Sequence, residues 1–310
     1  MKIVFLDAKT VGDVDLSQIK KFGNLIIYPT TPSSLTKKRV KDADIIITNK
    51  VIIDKEIMQA SSKLKLICVA ATGMNNIDLD FAESVGIEVK NVAGYSTFSV
   101  VEHTFSMLFY LLKSSSYYDN YVKSKAWSNS EIFTHLEKTF FEIRGKEWGI
   151  IGLGTIGKEV AKIATAFGAN VSYYSTNKTP HSNLYPHKNL KDLLKTSQII
   201  SIHAPLNEKT KNLIGKEELE LLKEDAILLN LGRGGIIDEV ALAKKIDSSL
   251  IKVGLDVTSK EPLPKDSPLL NVKNKDQLFI TPHIAWASIE ARKKLIEGIA
   301  KNIEDFLKAS

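Results

Sequence analysis

The chain has 310 residues, 44% hydrophobic and 25% charged, with 17 Gly, 9 Pro and one Cys, proportions that exclude a disordered, collagenous or coiled-coil protein. At roughly 100–200 residues per domain the length calls for about two domains and excludes a single small one. The formal net charge is +6, but the lysines are interspersed with acids, as in Lys216-Glu217-Glu218 and Lys223-Glu224-Asp225, so the excess reads as solvated surface and no nucleic-acid partner is expected.

The first strand is expected at residues 3–6, in an apolar run too short for a signal peptide or a membrane span; a soluble cytoplasmic protein without a membrane partner follows. Further strands are expected at 25–28, 45–48, 66–70 and 87–89, alternating with helical patterns such as 16–22, capped by Asp15 and stopped by Gly23. Such alternation argues for a parallel sheet covered on both faces. Cys68 lies in an apolar run; as the only cysteine it can form no intrachain disulfide and no zinc cluster, and it is expected to be a buried structural thiol. No metal site is expected.

Residues 97–113 are densely apolar without Gly or Pro and are expected to form a long, largely buried helix linking two domains. The polar and aromatic stretch 114–144 lacks the alternation and reads as a connecting arm. A second alternation then places strands at 148–151, 171–174, 198–202, 226–230, 252–256 and 278–281, the strand number of a complete dinucleotide-binding sheet. Residues 289–306 have helical spacing with polar residues between, and this last helix is expected to cross back to the first domain.

Gly152-Leu153-Gly154-Thr155-Ile156-Gly157 directly follows an expected strand and opens an expected helix, 158–167, stopped by Gly168. In that context Gly152 permits a tight turn, Gly154 lets a pyrophosphate approach the backbone, and Gly157 lets helix and strand pack closely. The helix N-terminus offers N–H groups and a positive dipole end to phosphates. The next strand should end in a carboxylate for NAD, yet none occurs from Asn170 to Lys178. Ser175, Thr176 and Asn177 can donate to a 2′-phosphate and Lys178 can supply charge. NADP is therefore expected to serve at least as well as NAD.

Three later segments carry polar residues at strand ends, where open α/β sheets bind ligands: Asn230-Leu231-Gly232-Arg233-Gly234-Gly235, Gly254-Leu255-Asp256 with Glu261-Pro262, and Thr281-Pro282-His283-Ile284-Ala285-Trp286. At these residues the sequence resembles the D-isomer-specific 2-hydroxyacid dehydrogenases. The resemblance extends to Ala71-Thr72-Gly73-Met74-Asn75-Asn76-Ile77-Asp78, Asn91-Val92-Ala93-Gly94-Tyr95-Ser96, Val101-Glu102-His103, the glycine turn, and His203-Ala204-Pro205-Leu206 with Thr210. Residues 91–96 and 283–288 look most like glycerate dehydrogenases, also called hydroxypyruvate reductases.

The resemblance implies two doubly wound parallel-sheet α/β domains: a flavodoxin-like substrate domain, 1–96 and 287–310, interrupted by a Rossmann NAD(P)-binding domain, 97–286. It implies hydride transfer between NAD(P)H and a small 2-oxo or 2-hydroxy acid bound in the cleft between domains. Arg233 is then the substrate-binding arginine, His283 the acid/base and Glu261 its carboxylate partner. A proton donor is needed because the carbonyl oxygen gains charge as hydride arrives. Glu261 should orient the imidazole and favour imidazolium, while Arg233 matches a carboxylate. The substrate set is Thr72, Gly73 and Met74 with Arg233 and His283, backbone N–H groups around Gly73 and Met74 facing the carboxylate. The cofactor set is the glycine turn with Thr155 and Ile156, then Ser175, Thr176, Lys178, His203, Ala204, Pro205, Thr210, Leu231, Gly232, Arg233, Asp256, His283 and Ala285. Glu261 stands where the formate-oxidising branch has glutamine, which favours 2-hydroxy acids.

Asp256 stands near the nicotinamide in this pattern or caps a strand end; His203 packs near the cofactor; His103 is a structural hydrogen-bonding residue. Trp286 is either an aromatic wall of the substrate pocket or a core anchor. Tyr117, Tyr118, Tyr121 and Trp127 resemble the family's dimer-forming segment, so a homodimer is expected. A second reading is a nucleotide-sensing, co-repressor-like regulator of the same fold.

Overall fold

The computed structural model describes residues 1–176 and 182–309. Backbone contacts divide the chain into one unit of Met1–Ser96 with Trp286–Ser310 and a second of Thr97–Ala285.

The first unit is built on β1 (Lys2–Phe5), β2 (Asn24–Ile27), β3 (Ile45–Thr48), β4 (Leu66–Val69) and β5 (Glu88–Lys90), in the order β2-β1-β3-β4-β5 with every pairing parallel. This is the flavodoxin-like order. Ile45–Thr48 and Leu66–Val69 are buried along their whole length, which is why both are unbroken apolar or β-branched runs and not alternating ones. One face of the sheet packs Ile3, Phe5, Ile47 and Cys68 against Leu295, Ile299 and Ile303 of the Ile289–Ala309 helix. The other packs Val4, Ile46, Ile67 and Val69 against Ile57, Met58 and Ile77. Burial in this core pushes the Cys68 thiol up to about 12, so it is no nucleophile near neutral pH. The helix expected over 16–22 is only Ser17–Lys20; Asp15 accepts from the Ser17 N–H at 2.8 Å and from its hydroxyl at 2.7 Å.

The second unit is built on β6 (Glu147–Ile151), β7 (Asn170–Tyr174), β8 (Ile199–Ile202), β9 (Ile227–Asn230), β10 (Lys252–Leu255) and β11 (Leu278–Ile280), in the order β7-β6-β8-β9-β10-β11, again all parallel. The chain steps from β6 outward to β7 and returns to β8 on the other flank of β6. The strand order therefore reverses between β6 and β8, which is where such sheets bind ligands. Beyond β7 a rudimentary strand is left: Tyr173 forms a parallel bridge with His187, the Tyr173 N–H donating to Pro186 O and the Lys188 N–H to Tyr173 O, both at 2.9 Å. Residues 182–188 carry no apolar run, so nothing in the sequence pattern marked it.

The helix Thr97–Leu112 lies within the second unit. Its Phe105 ring packs on Trp148 of β6 at 5.4 Å, and Met107 and Leu111 approach Gly254 of β10 so closely that a Cβ there would sit 3.3 Å from each. The arm contains a helix, Ser115–Lys123, and Tyr121 stacks on His135 at 3.8 Å and 4°. Among the described residues no helix is long and apolar enough to cross a membrane.

Candidate active site

β6 ends in the glycine turn. Gly152 has φ +94°, a left-handed conformation that glycine adopts at little cost. The following helix is Thr155–Ala166, starting three residues before the expected 158, so Thr155, Ile156 and Gly157 lie in its first turn. A Cβ at Gly157 would collide with the Gly152 carbonyl oxygen and sit 3.3 Å from Ile150 Cγ2. A Cβ at Gly154, the helix N-cap, would meet nothing within 4 Å. One glycine is thus required by the packing of helix on strand, and the other leaves open space in front of the helix N-terminus. That cradle fits a dinucleotide pyrophosphate.

The loops after β8 and β9 close around the same turn. Ala204 N lies 2.8 Å from where a Gly152 Cβ would stand, and Ala204 O lies 2.7 Å from where a Gly232 Cβ would stand. Thr210 is buried, its hydroxyl donating to Pro205 O at 2.6 Å and accepting from the Asn207 N–H at 2.8 Å. It therefore shapes the 205–210 loop from within. Leu231 and Ala285 are buried. Ser175 and Thr176 follow β7, half-buried, while Lys178 lies outside the described residues.

Both ring nitrogens of His203 are buried without a hydrogen-bond partner among the described residues, a costly state for groups that can donate and accept. Burial holds the imidazole down at about 3, so it is neutral in the fold. Because this value lies below that of an unfolded histidine, the unfolded chain takes up a proton first as pH falls. The stability tied to neutral His203 is present above about 6.5 and is lost progressively down to about 3. We expect a loss of about 2 kcal/mol by pH 5. Thermal melts from pH 7 to pH 4 should show a steeper fall in Tm for the parent than for His203→Asn, and equal slopes would refute the assignment.

Glu261 and His283 follow β10 and β11 in the chain. The Nδ1 of His283 lies 2.7 Å from Glu261 Oε2, which fixes the ring and leaves Nε2 for chemistry. The side chains are 25% and 34% exposed, partly sheltered but reachable. Glu261 is itself held, its Oε1 accepting from the Thr258 N–H at 3.2 Å. His283 has φ +55°, unusual for a residue with a Cβ, and buried Asp256 holds it there. Asp256 Oδ1 accepts from the Thr281 hydroxyl at 2.6 Å and the Ile284 N–H at 2.8 Å, and Oδ2 from the Ala285 N–H at 2.9 Å. Its carboxylate thus grips the loop on both sides of His283.

Arg233 is half-buried in the loop after β9, where the Asn230 side chain donates to Arg233 O at 2.9 Å and accepts from the Gly232 N–H at 3.1 Å. Gly234 approaches the Thr258–Ser259 backbone so closely that a Cβ would collide with the Thr258 carbonyl. The arginine loop and the segment leading to Glu261 are therefore in direct backbone contact. In the first unit, Thr72, Gly73 and Met74 follow β4, with Thr72 O accepting from Asn91 Nδ2 at 2.5 Å. Trp286 packs edge-on to Tyr95 at 6.1 Å against the first unit's core, an anchoring role. Thr281, which the sequence places at a strand end without a role, joins Asp256 to His103 of the Thr97–Leu112 helix through its hydroxyl.

Residues 105–285 match the family described as "D-isomer specific 2-hydroxyacid dehydrogenase, NAD binding domain". The chain belongs to the D-isomer-specific 2-hydroxyacid dehydrogenase family. This dehydrogenase is 35% identical to a hydroxypyruvate reductase of Blautia hydrogenotrophica, over 100% of this chain and 98% of that protein. It is 35% identical to a glycerate dehydrogenase of Methylorubrum extorquens, over 99% and 96%. Among solved structures, an acyclic imino acid reductase in complex with NADPH and D-Arg superposes with a TM-score of 0.88 at 31% identity, covering 100% of this chain and 98% of that one. A D-lactate dehydrogenase from Aquifex aeolicus complexed with NAD and lactic acid superposes with a TM-score of 0.87 at 28% identity, covering 100% and 96%. The dehydrogenase is an NAD(P)-dependent oxidoreductase of this family.

Proposed function

We propose that this dehydrogenase works mainly as a reductase of hydroxypyruvate, glyoxylate or a related small 2-oxo acid, forming the D-2-hydroxy acid. The observation that carries the reading is the 2.7 Å contact of His283 Nδ1 with Glu261, which leaves Nε2 as the proton donor, with the Arg233 loop in backbone contact with the segment before Glu261. When bound, the nicotinamide supplies hydride to the carbonyl carbon. His283 gives the carbonyl oxygen its proton from Nε2 and recovers it in the reverse direction. Arg233 pairs with the substrate carboxylate through its planar fork. The names of the relatives support this substrate class, as does Glu261 where formate oxidation goes with glutamine.

For the cofactor we propose NADPH use at least equal to that of NADH, because Ser175 and Thr176 leave the end of β7 without a carboxylate to repel a 2′-phosphate. Steady-state kcat/KM for hydroxypyruvate, glyoxylate and pyruvate with each nicotinamide tests both points. Turnover of a short 2-oxo acid supports the reading. Cofactor binding without turnover of any would replace it with a regulatory role, and a hundredfold preference for NADH would overturn the cofactor assignment. The single buried thiol fits a reducing compartment such as the cytoplasm.

We also propose a homodimer joined through the arm. Its tyrosines are engaged internally around His135, whereas Ile132, Phe133 and Leu136, within five residues of chain, are 63%, 89% and 76% exposed, apolar surface that a second copy would cover. Sedimentation should show a dimer for the parent and a monomer for Phe133→Asp combined with Leu136→Asp. A monomeric parent would refute the proposal.

A further inference from the structure

The helix Thr97–Leu112 presents two side chains one turn apart to the loop that carries His283. Ser99 Oγ donates to Ala285 O at 2.6 Å, and His103 Nε2 lies 3.0 Å from Thr281 Oγ1. Residues four apart share a helix face, so the pair braces the loop at both ends.

Donor counting settles the direction of the second contact. The Thr281 hydroxyl has one hydrogen, and it goes to Asp256 Oδ1 at 2.6 Å, the short distance of a charge-assisted bond. Toward His103 the Thr281 oxygen can therefore only accept, and His103 Nε2 must carry the proton. Burial lowers the His103 pKa, while the Asp256 charge, its carboxylate oxygen 3.7 Å away, works in the opposite direction. Asp256 is the charged group facing this imidazole from the packed elements among the described residues. The ring is therefore neutral near pH 7, protonated on Nε2, and the 3.7 Å approach is that of a polarised N–H to a carboxylate.

We infer that His103 is a positioning residue for the proton donor: through Thr281 and Asp256 it fixes the left-handed loop that aims His283 Nε2. The inference rests on the acid/base reading of His283. A left-handed non-glycine residue costs energy that surrounding contacts must offset. Here those contacts converge on Asp256, and His103 orients the hydroxyl that makes the shortest of them. Misplacement of a catalytic group by about an ångström costs up to about a hundredfold in rate.

The test compares His103→Phe, which keeps a ring but no donor, with His103→Gln, which keeps an N–H donor. For His103→Phe we expect kcat with hydroxypyruvate to fall about tenfold or more, with the KM for hydroxypyruvate within about twofold; His103→Gln should recover most of the lost kcat. A merely structural histidine would change Tm and spare the kcat-to-KM split. Parent-like kcat in His103→Phe, or His103→Gln as impaired as His103→Phe at an unchanged Tm, would overturn the inference. Should His103→Phe not fold, Thr281→Val against Thr281→Ser makes the same comparison: Val should lose kcat and Ser keep it, and equal kcat values would overturn the inference. His283→Ala run in parallel separates the two claims. Loss of turnover there with no effect at His103 and Thr281 refutes only the positioning role, whereas retained turnover removes the acid/base reading itself.

Discussion

Replacing His283 with alanine lowers kcat for 2-oxo-acid reduction by about 10²–10⁴-fold, the usual contribution of a positioned general acid. One ring nitrogen is committed to Glu261 at 2.7 Å, so the other is the only one that can serve the substrate. Asp256 is occupied with Thr281, Ile284 and Ala285 and His203 is held neutral by burial, which leaves neither as a substitute. Arg233→Ala should behave differently. It removes a contact made to the carboxylate both before and during reaction, so KM rises as well as kcat falling. Single-turnover and steady-state rates on the two variants separate these patterns. Near-normal turnover in His283→Ala would end the assignment.

Strand positions were legible because parallel strands covered on both faces must be continuous apolar runs. β3 was expected at its observed limits, and β1, β4 and β9 within a residue of theirs. The rudimentary strand at His187 was not legible: it holds its place by two backbone hydrogen bonds to Tyr173, which any residue types could make. The short helix Ser17–Lys20 shows the converse, since beyond it the Phe22 N–H donates to Ile19 O at 3.2 Å and the Gly23 N–H to Lys20 O at 3.5 Å, so the chain continues in three-residue turns toward Gly23 and not as α-helix. Within the site, the glycine turn could be read from its flanks, because each glycine answers a steric demand that any sequence must meet. The pairing of Glu261 with His283 came from family resemblance, since nothing local specifies a contact across 22 residues. The His103–Thr281 contact spans 178 residues, and an apolar helix with one histidine does not reveal what that histidine faces.

The steric difference between Gly154 and Gly157 supplies the second large effect. Gly154→Ala should fold with an unchanged Tm, because the added methyl meets nothing within 4 Å and the backbone at Gly154, φ −79°, suits alanine. The methyl would occupy the space where a pyrophosphate must come close to the N–H groups of the helix first turn. The Kd for NADPH should therefore rise about 10–100-fold, equivalent to about 1.4–2.7 kcal/mol, with the KM for the 2-oxo acid little changed at saturating cofactor. Gly157→Ala should do the reverse in order of severity. Its methyl runs into the Gly152 carbonyl, so helix and strand must part and the fold loses about 2 kcal/mol or more before any cofactor is bound. Calorimetry and cofactor-fluorescence titration on the two variants distinguish a binding cradle from a merely glycine-rich turn. In the latter case Gly154→Ala would bind NADPH as tightly as the parent, and the phosphate site would have to be sought elsewhere.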